Sequence, residues 1–168
     1  MTFTNGSVRT TYMQRSGSKA RGRGEAGNGS ARFDFTIPSE YQASQEVQDK
    51  IMHDVNRRGF NSQTVFAIKL ALEEAMMNAI KHGNKRDGKK MVHVEAHVNS
   101  NQAEIVVEDQ GPGFNRRLVP DPTLPENLEK CSGRGILLIE AYMNSVEWSR
   151  QGRRLRMIKR NGEEPGVR

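Results

Sequence analysis

Only one cysteine, Cys131, stands in the 168 residues, so an intramolecular disulfide is excluded and no set of thiols is on hand for a zinc site. Long apolar runs are missing too. None approaches the roughly 20 residues that span a bilayer, and no apolar stretch near the start has the form of a secretory signal. A cytoplasmic protein without a membrane partner is the expectation. Carboxylates are nearly absent from residues 1–32, where Glu25 faces Arg9, Arg15, Lys19, Arg21, Arg23 and Arg32. Of the formal net charge of +6, this segment therefore carries all but a single unit. It is rich in Gly, Ser and Arg and lacks an apolar period, which predicts a disordered basic tail over residues 1–32. Phosphate attraction through such a tail would be non-specific, and the near-neutral remainder argues against a dedicated nucleic-acid protein. The length suits one domain with a real core.

From Phe33 onward the pattern is regular. RFDFTIP alternates apolar and polar residues and stops at Pro38, which predicts an edge or entry strand. Ser39 is placed to cap a helix from Glu40 to about Arg58, with Tyr41, Ser44, Val47, Ile51, Met52 and Val55 at three- and four-residue steps. Asn61 or Ser62 opens a second helix that is apolar around much of its circumference and runs to Gly83. After the turn NKRDGKK, the stretches MVHVEAHV and AEIVVED predict a hairpin joined at Asn99–Gln102. His93 and His97 on one strand face are packing or surface histidines, with no third metal ligand beside them. Residues 110–132 carry Pro112, Pro120, Pro122 and Pro125 and are long for a plain connection, which suggests a binding lid. GRGILLIEAYM restores helical spacing, NSVEWS and RLRMIKR close the fold as a second hairpin, and residues 161–168 form a C-terminal tail. The predicted class is α+β: a two-layer sandwich of a mixed, mostly antiparallel sheet with all helices on one face.

Three motifs carry chemistry. Glu74, Asn78 and His82 recur every four residues and share one face of an α-helix that is otherwise built for burial. A hydrogen-bonded stripe beside a core would explain them alone. At the end of an apolar strand, VVEDQGPGF places Asp109 before Gly111 and Gly113. A carboxylate there accepts from an exocyclic amine, which adenine offers and guanine does not at the same position, while the glycines let a ring approach the backbone. SGRGILLIE then puts Gly133 and Gly135 at a helix start, where free N–H groups favour phosphate.

The E-x-x-x-N-A-x-x-H-G helix, the E-D-x-G-x-G strand end and the S-G-R-G helix start together resemble the Bergerat-fold ATPases shared by gyrase, Hsp90, MutL and histidine kinases. Within that superfamily, Leu70–Asn84 and LEKCSGRGILLIEAYM most resemble the anti-sigma-factor serine kinases of bacteria, over about residues 33–160. The resemblance implies a Bergerat ATP-binding fold in residues 33–160 with ATP and Mg2+ as cofactors. It makes Asn78 the magnesium ligand, Asp109 the adenine reader, Gly111 and Gly113 the glycines beside the base, and Gly133, Arg134 and Gly135 the segment that meets phosphates. Glu74 becomes the catalytic acid that orients or deprotonates the attacking hydroxyl, and His82 a brace for the site. The implied activity is serine/threonine phosphorylation, with a sigma factor and/or an anti-sigma-factor antagonist protein as partner and a homodimer as the expected assembly. A non-catalytic ATP-binding module that switches partner binding is the alternative.

Overall fold

The period-two stretches become strands in the computed structural model, which describes residues 2–5, 8–15, 29–115 and 134–164. Strands β1 (Thr2–Asn5), β2 (Val8–Arg15) and β3 (Ser30–Pro38) precede helices α1 (Tyr41–Arg57) and α2 (Ser62–Met77). Strands β4 (Met91–Val98) and β5 (Gln102–Asp109), helix α3 (Arg134–Tyr142), and strands β6 (Ser145–Ser149) and β7 (Arg154–Arg160) follow. They build one seven-stranded sheet in the order β1-β2-β3-β4-β5-β7-β6. Every neighbouring pair is antiparallel, so the expected mixed sheet is corrected to a wholly antiparallel one among the described residues. The reason is the connections: β4–β5 and β6–β7 are hairpins, and the two helices between β3 and β4 bring the chain back to the end it left.

The expectation of a disordered tail over residues 1–32 fails where those residues are described. Thr2–Asn5 and Val8–Arg15 are strands, and β3 begins at Ser30 rather than at Phe33. Register supplies the cause: β2 sets Thr10, Tyr12 and Gln14 opposite Phe35, Phe33 and Ala31, using the edge that β3 would otherwise leave open. Residues 16–28 lie outside the described residues.

Alternation sorts the sheet into two faces. Phe33, Phe35, Ile37, Val92, Val94, Ile105, Val107, Leu155 and Met157 are buried with Val47, Ile51 and Val55 of α1 and Ile68, Leu72 and Met76 of α2. Each such side chain contributes roughly 1.5–3 kcal/mol on burial, which holds both helices on this one face. The opposite face is a ladder of ion pairs, Arg154 with Glu95 and Glu108 and Arg156 with Glu104 and Glu147. His93 lies 3.7 Å from Asp34 and 3.4 Å from Glu95 in the same ladder. No helix among the described residues is long and apolar enough to cross a membrane.

Helix ends refine the expected boundaries. Asn61 caps α2 by accepting from the Thr64 N–H at 2.7 Å, whereas Glu40 occupies the cap position of α1 without a side-chain bond. Ser39, expected as that cap, donates instead to the Lys90 carbonyl at 3.0 Å. Residues 161–164 are anchored: the Asn161 side chain accepts from the Asn61 N–H at 3.1 Å and donates to the Gly59 and Ser100 carbonyls, and the Gly162 N–H reaches Thr64 Oγ1 at 3.2 Å.

α2 does not run unchanged to Gly83. From Asn78 to Gly83 it widens into a π-turn, closed where the Asn84 N–H donates five residues back to the Ala79 carbonyl at 2.8 Å. Asn84 is fully buried. Its Nδ2 donates to Ser39 Oγ at 2.6 Å and to the Met91 carbonyl at 2.9 Å, and its Oδ1 accepts from the Gln110 N–H at 2.8 Å. Directly after it, Lys85 (φ 55°) and Arg86 (φ 58°) take left-handed backbone, and the Asp87 N–H closes the turn on the Asn84 carbonyl at 3.1 Å. Two positive φ values in succession mark a type I′ turn, which prefers Asn-Gly.

Two outcomes follow from these contacts. Asn84→Ala removes three bonds, to the Gln110 N–H, the Met91 carbonyl and the Ser39 hydroxyl, and should lower unfolding free energy by about 3 kcal/mol in a urea titration; a change below about 1 kcal/mol would show that water replaces the amide. Deleting residues 1–15 exposes the β3 edge, so the thermal midpoint should fall and sedimentation should reveal concentration-dependent association. A shortened chain that stays monomeric and melts like the full one would mean that β2 adds nothing to the sheet.

Candidate functional site

Glu74 lies in the last turn of α2 and Asn78 one turn later, where the π-turn begins. Both face the first turn of α3. A Cβ at Gly135 would stand 2.2 Å from Glu74 Oε2 and 3.6 Å from Asn78 Nδ2, so a side chain there would displace the Glu74 carboxylate. The Asn78 Nδ2 atom is buried and, among the described residues, lacks a hydrogen-bond partner. A buried amide left unsatisfied is costly, and here it adjoins a carboxylate and the N–H groups of a helix start. Arg134, the first residue of α3, is exposed. Gly133 lies outside the described residues.

The second half of the site is at the end of β5. The Asp109 N–H donates to the Arg153 carbonyl at 3.0 Å, and its Oδ1 accepts from the Gly111 N–H at 2.7 Å. Burial pushes the Asp109 carboxyl above the ordinary aspartate range, against the opposing pull of the Gly111 N–H and the Arg153 charge. The glycines pack against it. A Cβ at Gly83 would fall 2.3 Å from Asp109 Cγ, and one at Gly111 would fall 2.0 Å from the Gly83 carbonyl oxygen. The end of the π-turn, the carboxylate and the following loop are thus in direct contact.

Gly113 takes φ 78° and has another neighbour: a Cβ there would meet the Gln151 carbonyl oxygen at 2.2 Å. The Phe114 N–H donates to that same carbonyl at 2.9 Å, and the Phe114 ring sits edge-on to Trp148, centroids 5.0 Å apart. The start of the expected lid is therefore fixed to the turn between β6 and β7. Residues 116–133, most of that lid, lie outside the described residues.

The last step of the stripe, from Asn78 to His82, is taken on the π-turn. His82 is exposed, and its pKa is lowered first by burial of part of the ring and then by the charges of Lys81 and Arg86. Sequence reasoning assigned no role to Asn84, Phe114 or Arg153, which position the loop after Asp109. The Asn that ends HGN was a visible signal, since a polar residue closing an apolar helix needs partners. The other two had none.

The order of parts is a carboxylate and an amide under the glycine-started α3 and, where the π-turn ends against β5, the half-buried Asp109 carboxylate among glycines. The first group suits phosphates and the second an amine-bearing base. Comparison with known proteins agrees. Residues 37–159 match the histidine kinase-like ATPase domain. The chain is 30% identical over 116 residues to the serine-protein kinase RsbW of Oceanobacillus iheyensis, covering 65% of this chain and 73% of that protein. It is 40% identical over 83 residues to the anti-sigma F factor of Clostridium perfringens, covering 48% of this chain and 59% of that protein. A third relative, the serine-protein kinase RsbW of Listeria innocua, is 29% identical over 98 residues, or 55% of this chain and 62% of that one. With the ATPase domain matched across most of its length and its motifs gathered at one end of α2, the chain belongs to the histidine kinase-like ATPase family, in its anti-sigma-factor serine-kinase branch.

Proposed function

We propose that this chain is an ATP-dependent serine/threonine protein kinase of the anti-sigma type, which binds Mg-ATP and phosphorylates or sequesters a regulatory partner. The partner would be a sigma factor and/or an anti-sigma-factor antagonist protein, and the working assembly a homodimer. One observation carries the reading: Glu74 and Asn78 meet the backbone of Gly135, so a carboxylate stands where phosphates would be received. The names of the relatives, serine-protein kinase and anti-sigma F factor, support the reaction and the partner class.

Each residue then has a task. Asp109 accepts from the adenine amine, with Gly111 and Gly113 beside the base, while Gly133, Arg134 and Gly135 receive the phosphates. Glu74 accepts the proton of the attacking hydroxyl or holds that hydroxyl in line. His82, exposed among cations, is left as a brace at the mouth. The unpartnered Asn78 Nδ2 is a donor that suits a phosphate oxygen, and the oxygen of the same amide, with the Glu74 carboxylate nearby, is the kind of donor that fits a hard cation. Asn78 would hold magnesium, which when bound offsets charge on the transferred phosphoryl group.

Two experiments test this. Asp109→Asn exchanges an acceptor for a group that presents a donor, so ATP affinity should fall by about ten-fold or more and preference over GTP should vanish. Equal calorimetric affinities of the unmodified chain for ATP and GTP would remove Asp109 from the role. Glu74→Gln should bind ATP normally yet incorporate phosphate into the partner captured with ATP about 10²-fold more slowly, whereas Asn78→Ala should weaken Mg-ATP binding itself. Transfer at full rate by Glu74→Gln would exclude Glu74 as base, and a wild type that binds an ATP-dependent partner without ever phosphorylating it would establish a switch instead of an enzyme.

A further inference from the structure

The turn after the π-helix is built from the wrong residues for its shape. Lys85 and Arg86 occupy both left-handed positions of a type I′ turn, where Asn-Gly is free of strain and a long side chain is not. Residues 81–90 hold Lys81, Lys85, Arg86, Lys89 and Lys90 against Asp87 alone, although residues 33–168 as a whole are nearly neutral. Lys81, Lys85, Arg86 and Lys89 are exposed. Beside them stands Tyr41, one of the two exposed large hydrophobic side chains among the described residues at 43% exposure, with the Arg86 guanidinium 5.8 Å from its ring centroid. Favourable interaction with the C-terminal end of a helix accounts for Lys81 and His82, which lie in the last turn. It does not account for cations held in left-handed backbone beyond that turn.

We propose that Lys85, Arg86 and Tyr41 form a docking surface for an acidic segment of a partner protein. The location suits that use, because Gly83, two residues before Lys85, packs on the Asp109 carboxylate. A partner seated here would lie next to the base end of the nucleotide site. Charge selects the class of occupant: a paired guanidinium and aromatic ring with neighbouring ammonium groups complements carboxylates and rejects a basic surface. The inference rests on the proposed function only in taking the partner to be a protein, and no phosphate transfer enters its test.

The test uses the full chain, a short fluorescein-labelled polyglutamate peptide, and the variant Lys85→Asn/Arg86→Gly, which installs the pair that the turn prefers. In the wild type, amide resonances of Tyr41, Lys85 and Arg86 should shift on peptide addition, and anisotropy should show binding that weakens with salt. The variant should bind the peptide about ten-fold or more weakly while its ATP affinity is unchanged and its thermal midpoint rises. A stabilised variant that loses binding separates a docking role from a folding one. Shifts confined to residues 1–32, undiminished peptide affinity in the variant, or a lowered midpoint would each overturn the proposal. Tighter binding of a single-stranded oligonucleotide of equal charge would overturn it in favour of a nucleic-acid surface.

Discussion

The side-chain amide of Asn84 holds together three segments that part company immediately afterwards, and the base end of the site depends on that junction. One bond reaches Ser39 between β3 and α1, one reaches the start of β4, and one fixes the peptide that follows Asp109. With Asn84 in place, the Gly83 backbone is pressed against the Asp109 carboxylate and against Gly111 closely enough that no Cβ fits at either glycine. This packing half-buries the carboxylate and raises its pKa. Widening of the helix at Asn78 is what brings Gly83 there.

One helix thereby joins both halves of the candidate site. Its α-helical turns carry Glu74 beneath the start of α3, and its π-turn carries Gly83 to β5. A change of hydrogen-bond period within a single element converts a regular stripe into two differently aimed groups.

Much of this was legible in the residues. Alternation located β3, β4, β5, β6 and β7, three- and four-residue spacing located the helices, and the glycines flagged beside Asp109 include Gly111, which does pack on it. Residues 2–5 and 8–15 are strands where composition suggests a tail, because the strand content of VRTTYMQR becomes decisive only when the free edge of β3 is available to pair with it. The π-turn was invisible because apolar spacing alone does not distinguish a helix that widens from one that continues. Ser39 was assigned to the nearest helix, whereas its partners, Lys90 and Asn84, are remote in sequence. Local patterns report elements well, and they report bonds between elements hardly at all.

The strand order bears on how the chain is made. β7 lies between β5 and β6, although α3 and β6 separate it from β5 in the sequence. A ribosome that has released β5 has therefore exposed a strand whose neighbour is not yet translated, and the Asp109 N–H waits for the Arg153 carbonyl through the synthesis of everything between them. Until then, β3, β4 and β5 can pair beneath the two helices, but neither the base end of the site nor the anchor of Phe114 can exist. The end of the candidate site around Asp109 is thus complete only once β7 has been made and pairs with β5.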